Sequence, residues 1–156
     1  MNLIQKLALS LWQYIVEPTF FEGMKVIKWG QIFLRLITSE QGQKMSLISA
    51  LFAIRKYQLF LFLIQKYPSI RMVPNQEIDA VLHAHIANID QFEQDCLHLF
   101  NTCCQHIPEF GLRGEAERLE WQLAFAQTQE LFELNYGQDT MGNSPAACCE
   151  ILLGCR

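Results

Sequence analysis

The sequence predicts an all-α protein, a compact bundle of about five to six helices with a loosely structured C-terminal tail. Two observations lead there. Apolar residues recur at three- and four-residue steps along most of the chain, and no pair of runs offers two strands that could bond to each other. A third sets the scale: 156 residues, 51% hydrophobic and 18% charged, suffice for one domain and exclude a disordered or collagen-like chain. A chain of this size needs neither disulfide nor metal merely to fold.

Leu3, Ile4, Leu7, Leu11, Tyr14 and Ile15 define a first amphipathic helix that Pro18 should end. A second runs from Met24 to Ile37, with Lys25, Lys28, Gln31 and Arg35 on one side and Val26, Trp29, Phe33, Leu36 and Ile37 over much of the rest. Such a basic amphipathic helix suits either an anionic membrane or an acidic protein surface. Ser46 to Lys66 forms a longer helix. Its run Leu59 to Ile64 is apolar on every side and is read as helix because no strand partner exists.

Pro68 and Pro74 bracket a connector. Helices then follow from Glu77 to Ile89 and from Asp90 to Cys104, the second with Phe92, Cys96, Leu99, Phe100 and Cys103 as its stripe. Pro108, Gly111 and Gly114 make a turn region. The last helix runs from Glu115 to about Tyr136, with Trp121, Ala124, Phe125, Thr128, Leu131 and Phe132 on one face. Beyond Gly137 the pattern fades into a tail carrying Cys148, Cys149 and Cys155. The chain thus divides into a basic N-terminal segment, 1–44, packed on the domain, a helical core, 45–137, and a Cys-containing tail, 138–156.

The formal charge of -4 conceals a split, because residues 1–72 carry nine basic side chains against three acidic ones and the remainder carries three against thirteen. All four His and all six Cys lie in the acidic part. Net acidity argues against nucleic acid as a partner, and the lack of a Gly-rich phosphate loop argues against a nucleotide cofactor. Arg55, Lys56 and Gln58 interrupt the best candidate for a bilayer span, Met45 to Ile64. Leu3 to Val16 is too short to cross and has no cleavage signal. The expected location is the cytoplasm, with thiols reduced; peripheral membrane contact through the basic half is a further expectation.

The densest set of potential ligands lies between Glu77 and His106. Asp79 and His83, four apart, sit one turn above the other and can share a cation or a hydrogen bond. His83 and His85 stand about 200° apart around an unbroken helix and cannot both reach one ion unless it loosens. His85 falls in line with Ile78, Leu82 and Ile89, towards the facing helix and Cys96. A helical hairpin closing at Asn88 to Asp90 would bring Asp79 or His83, His85, Cys96 and the loop residue His106 together. Mixed nitrogen, thiolate and carboxylate donors suit zinc, and two His with one Asp suit iron with open positions. The same spacing also fits a plainer arrangement, in which Asp79 bonds His83, His85 is a satisfied core histidine and Cys96 is a small buried apolar residue. A Cys96 nucleophile with a His85 base is disfavoured, since a thiol in an apolar stripe is inert.

Several separated motifs add a resemblance. Val73-Pro74, Glu77-Ile78-Asp79, His83-Ala84-His85-Ile86, Asp95-Cys96, Leu99-Phe100, His106-Ile107-Pro108 and Phe110-Gly111-Leu112-Arg113-Gly114-Glu115 are similar to the core of the glycine-rich domain-containing protein-like family. That family carries an Asp-x-x-Trp-His-x-His box, a Tyr-x-x-Asp-Cys helix and a His-x-Pro-x-Phe-Gly turn. The resemblance covers about residues 55 to 137 and implies that Asp79, His83, His85, Asp95, Cys96 and His106 form a polar signature. It implies no reaction. Leu82 stands in place of the Trp and Phe92 in place of the Tyr, removing an indole N–H and a phenol O–H that would orient the site.

The functional expectation is a small helical module binding one transition-metal ion, zinc or iron, through Asp79, His83, His85, Cys96 and His106. Any enzymatic activity would be metal-dependent. The alternative is a non-catalytic adaptor whose basic N-terminal half contacts a protein partner or a membrane surface.

Overall fold

The computed structural model describes residues 18–39 and 44–154. The helix expected over Leu3 to Val16 and the tail residue Cys155 lie outside them. The fold is mainly helical, as the periodicity predicts, with a small two-stranded sheet that it does not. The described residues begin with a helical stretch at 18–24, followed by α1 (Trp29–Thr38), α2 (Leu47–Lys66), α3 (Gln76–Ile86), α4 (Ile89–Phe100), β1 (Cys104–Pro108), α5 (Glu115–Tyr136) and β2 (Cys149–Leu153).

Local chemistry fixes the helix ends. Pro18 lies in the helical backbone of 18–24, and whether it also ends the helix expected over Leu3 to Val16 falls outside the described residues. The Trp29 indole bonds the Met24 carbonyl at 2.9 Å, holding a turn at 24–28 so that α1 starts at Trp29. Ser46 caps α2 by accepting from the Ser49 N–H at 3.2 Å. Asn75 and Asn88 do the same for Ile78 and Gln91 at the starts of α3 and α4.

The core forms where α1, α3 and α5 meet α2. On α2 the run Leu59 to Ile64 is buried on all sides, which explains its lack of polar residues. Tyr57, Phe60, Leu63, Ile78, Leu82 and Phe132 fill the centre.

The all-α expectation is corrected at Cys104. Helix α4 stops at Phe100 because Asn101 adopts a left-handed conformation, φ 55°. The chain then extends as β1, which pairs antiparallel with β2 so that His106 faces Ile151 and Pro108 faces Cys149. The tail is therefore not loose. Met72 bridges Ile151 on the other edge of β2, and Asn75 bridges Ala146. The Trp121 indole donates to the Ala147 carbonyl at 2.8 Å, and the Asn75 amide donates to the Met141 carbonyl at 2.9 Å. Within β2 even Glu150 is buried, held by Arg71 through two bonds of 2.6 and 2.8 Å. That pairing lets a carboxylate be buried on the face opposite Cys149 and Ile151, where strand alternation would otherwise leave a polar residue in solvent.

Candidate metal centre

Asp79 lies in the first turn of α3, where a carboxylate also suits the helix dipole. One turn on, the His83 Nε2 stands 3.4 Å from Asp79 Oδ1. From the sheet, His106 on β1 brings its Nε2 to 4.0 Å from the same oxygen. Cys149 on β2 donates its thiol to Asp79 Oδ1 at 3.3 Å. His106 and Cys149 are diagonal neighbours across the β1–β2 ladder, which puts both side chains on one face of the sheet. One ligand atom each from Asp79, His106 and Cys149 falls within 4.8 Å of the others. The His83 ring stands edge-on to His106, with centroids 5.2 Å apart.

Their electrostatics follow from the placement. Burial pushes the Asp79 carboxyl upward, but the bonds from His83 and Cys149 and the nearby His106 outweigh it and hold the pKa below the usual value. His83, bonded to Asp79, is raised despite partial burial. Burial lowers His106, favouring neutral imidazole. Burial and then the Asp79 carboxylate push the Cys149 thiol well up, so it is no nucleophile on its own. His106 Nε2 is buried and has no hydrogen-bond partner among the described residues. A buried ring nitrogen with nothing to bond is uncommon and calls for an explanation.

His85 and Cys96 do not join this cluster. They occupy the other side of α3, as the turn of an unbroken helix dictates. There the Tyr57 hydroxyl lies 2.9 Å from His85 Nδ1, and His85 Nε2 lies 2.8 Å from Asp95 Oδ2. Gln91 donates to the second Asp95 oxygen at 2.9 Å. All bonds are satisfied if His85 carries its proton on Nε2 and accepts from the tyrosine. Phe92 packs edge-on against the imidazole at 4.9 Å. This hydroxyl–imidazole–carboxylate line has the connectivity of a catalytic relay, yet Tyr57, His85 and Asp95 are 0%, 3% and 3% exposed, shut away from solvent by the described residues. Cys96 is buried in the core beside Cys104, and its pKa is pushed far up by that thiol and by burial.

Of the remaining cysteines, Cys148 is an exposed free thiol next to the site and Cys103 is disulfide-bonded. The residue that sequence reasoning missed is Cys149. Its signal is only its position opposite Pro108 in a ladder that the tail was not expected to form. His83 is 62% exposed and also lines an open groove of about 1140 Å³ between α1, the start of α2 and α3. The cluster is thus sealed on the sheet side and accessible beside His83. No family model matches the chain, and no curated protein or solved structure matches it.

Proposed function

We propose that the protein binds one transition-metal ion through Asp79, His106 and Cys149, with His83 beside the fourth position. The observation that carries this reading is the buried Nε2 of half-buried His106, which has no hydrogen-bond partner among the described residues and lies in a cluster that already holds a carboxylate and a thiol. Donors at zinc bond lengths of about 2.0–2.3 Å in a tetrahedron stand about 3.3–3.8 Å apart. The spacings of 3.3 and 4.0 Å from Asp79 are close to that range, and with all three donors within 4.8 Å of one another binding requires side-chain movements of about 1 Å. One nitrogen, one sulfur and one oxygen donor favour zinc over magnesium or calcium. The resemblance to the glycine-rich domain-containing protein-like family adds support, since its polar signature includes Asp79, His83 and His106.

Three protein ligands and an accessible fourth side leave room for water or a substrate group, the arrangement found in reactive rather than purely structural zinc sites. Metal analysis of the purified full chain tests the reading. We expect close to one equivalent of zinc, and less than roughly a tenth of an equivalent of any metal overturns it. Cobalt substitution should give a thiolate-to-metal charge-transfer band. Cys149→Ser should abolish that band, whereas Cys148→Ser keeps it.

A further inference from the structure

Most exposed apolar side chains on a protein surface stand singly and mean little. Leu47, Ile48, Leu51 and Phe52 do not. Each is 59–68% exposed, and all four occupy a sector of about 140° on the first turns of α2. The opposite side of those turns carries Ala50, Ala53, Ile54 and Tyr57 into the core. Further along α2 the exposed sector acquires a cover. Phe20 and Phe21, from the helical stretch 18–24, each pack on Phe62 with ring centroids 5.7 Å apart, and the Arg55 guanidinium lies 5.1 Å over the Phe21 ring. Among the described residues, the bare face is the part that this cover does not reach.

Charge shows what kind of surface would fit it. Between Glu40 and Glu77 the chain has no carboxylate at all. Of the cations in that interval, Lys56 is paired with Glu77, Arg71 with Glu150 and Glu120, and Lys66 is bonded to Asn135. Lys44 and Arg55, which flank the bare face on either side, are exposed and form no ion pair among the described residues. An apolar face bordered by two cations that have no carboxylate partner among the described residues matches the boundary between headgroups and acyl chains of an anionic bilayer. Helix α1, the element whose sequence first suggests membrane contact, instead buries Ile32 and Leu36, and its Arg35 donates to the Ala84 carbonyl at 2.8 Å. Although α2 is long and apolar enough to cross a membrane, its second half is core in this fold.

We infer that the first turns of α2 dock the protein peripherally on an anionic lipid surface, with Leu47, Ile48, Leu51 and Phe52 entering the interface and Lys44 and Arg55 meeting lipid phosphates. This inference is independent of the metal centre. Its test is sedimentation of the full chain with vesicles of phosphatidylcholine alone or mixed with phosphatidylserine. Binding should require phosphatidylserine and weaken at high salt. Lys44→Gln and Arg55→Gln should each weaken it about fivefold. Leu51→Asp with Phe52→Asp should abolish it while the melting temperature stays close to that of the parent, as expected for exposed sites. Failure of the parent chain to bind at low salt overturns the inference, as does binding that survives the double substitution. If the parent is instead a dimer that the double substitution makes monomeric, with no vesicle binding, the face joins two copies and the lipid assignment falls.

Discussion

His83 and His85, two positions apart, stand on opposite sides of α3. The His83 ring meets His106 edge-on at the surface cluster, whereas His85 is bonded between Tyr57 and Asp95 inside the core. One helix therefore separates an accessible polar site from a sealed one, and substitutions on its two sides should have unlike consequences.

On the accessible side, metal binding should release protons. The Cys149 thiol is held above its usual pKa, so it is protonated at neutral pH and must lose that proton to bind, whereas lowered His106 is already neutral. Calorimetry in buffers of different ionisation enthalpy should record about one proton released per ion at neutral pH, and affinity should fall as pH drops. His106→Ala should lose the ion. His83→Ala should keep it more weakly.

On the sealed side, burial lowers the pKa of His85 below that of the unfolded chain. As pH falls below about 6.5 the unfolded chain takes up a proton that the folded protein resists, so this group's contribution to stability declines with acidity and is flat above. Thermal melts at about pH 7.5 and about pH 5.5 should show a drop for the parent protein and a smaller one for His85→Gln. Tyr57→Phe leaves Nδ1 without a donor and should cost about 1–3 kcal/mol in denaturant titration.

Arg71 and Glu150 form an unequal pair, with side chains 43% and 5% exposed. Arg71→Ala strands a buried carboxylate and should cost about 3 kcal/mol, the low end for such a loss because water still reaches the site. Glu150→Gln leaves only a guanidinium that water can solvate and should cost about 1 kcal/mol. Equal costs from chemical denaturation would contradict this asymmetry. Arg71 also stacks 4.0 Å over the Phe110 ring, so Arg71→Lys should recover only part of the loss.

Gly111 has φ 94°, and a Cβ there would meet the Trp121 ring at 2.7 Å. Gly111→Ala should destabilise by about 2–3 kcal/mol. It should also disturb the bond from Trp121 to Ala147, detectable as earlier proteolysis of the tail.

The helices were legible because burial imposes a period, and Leu59 to Ile64 shows that even a run without polar residues resolves once no strand partner is available. The opposed directions of His83 and His85 and the closeness of Asp79 to His83 followed from helix geometry alone. The sheet was not legible. Each strand has five residues, and β2 buries Cys149, Glu150 and Ile151 in succession, so the alternation that marks a strand is missing. With β2 unseen, Cys149 could not be placed beside Asp79, and His106 was read as a loop residue. The same stripe that drew Cys96 toward the proposed ligands is what carries it into the core.

Strand β2 also imposes an order on biogenesis. It is made after every other described element, and until it emerges from the ribosome β1 and the segment around Met72 hold exposed hydrogen-bonding edges that another nascent chain can capture. The emergence of β2 thus closes these edges against neighbouring chains, and a chain cut just before Cys149 would be a helical body with a sticky seam.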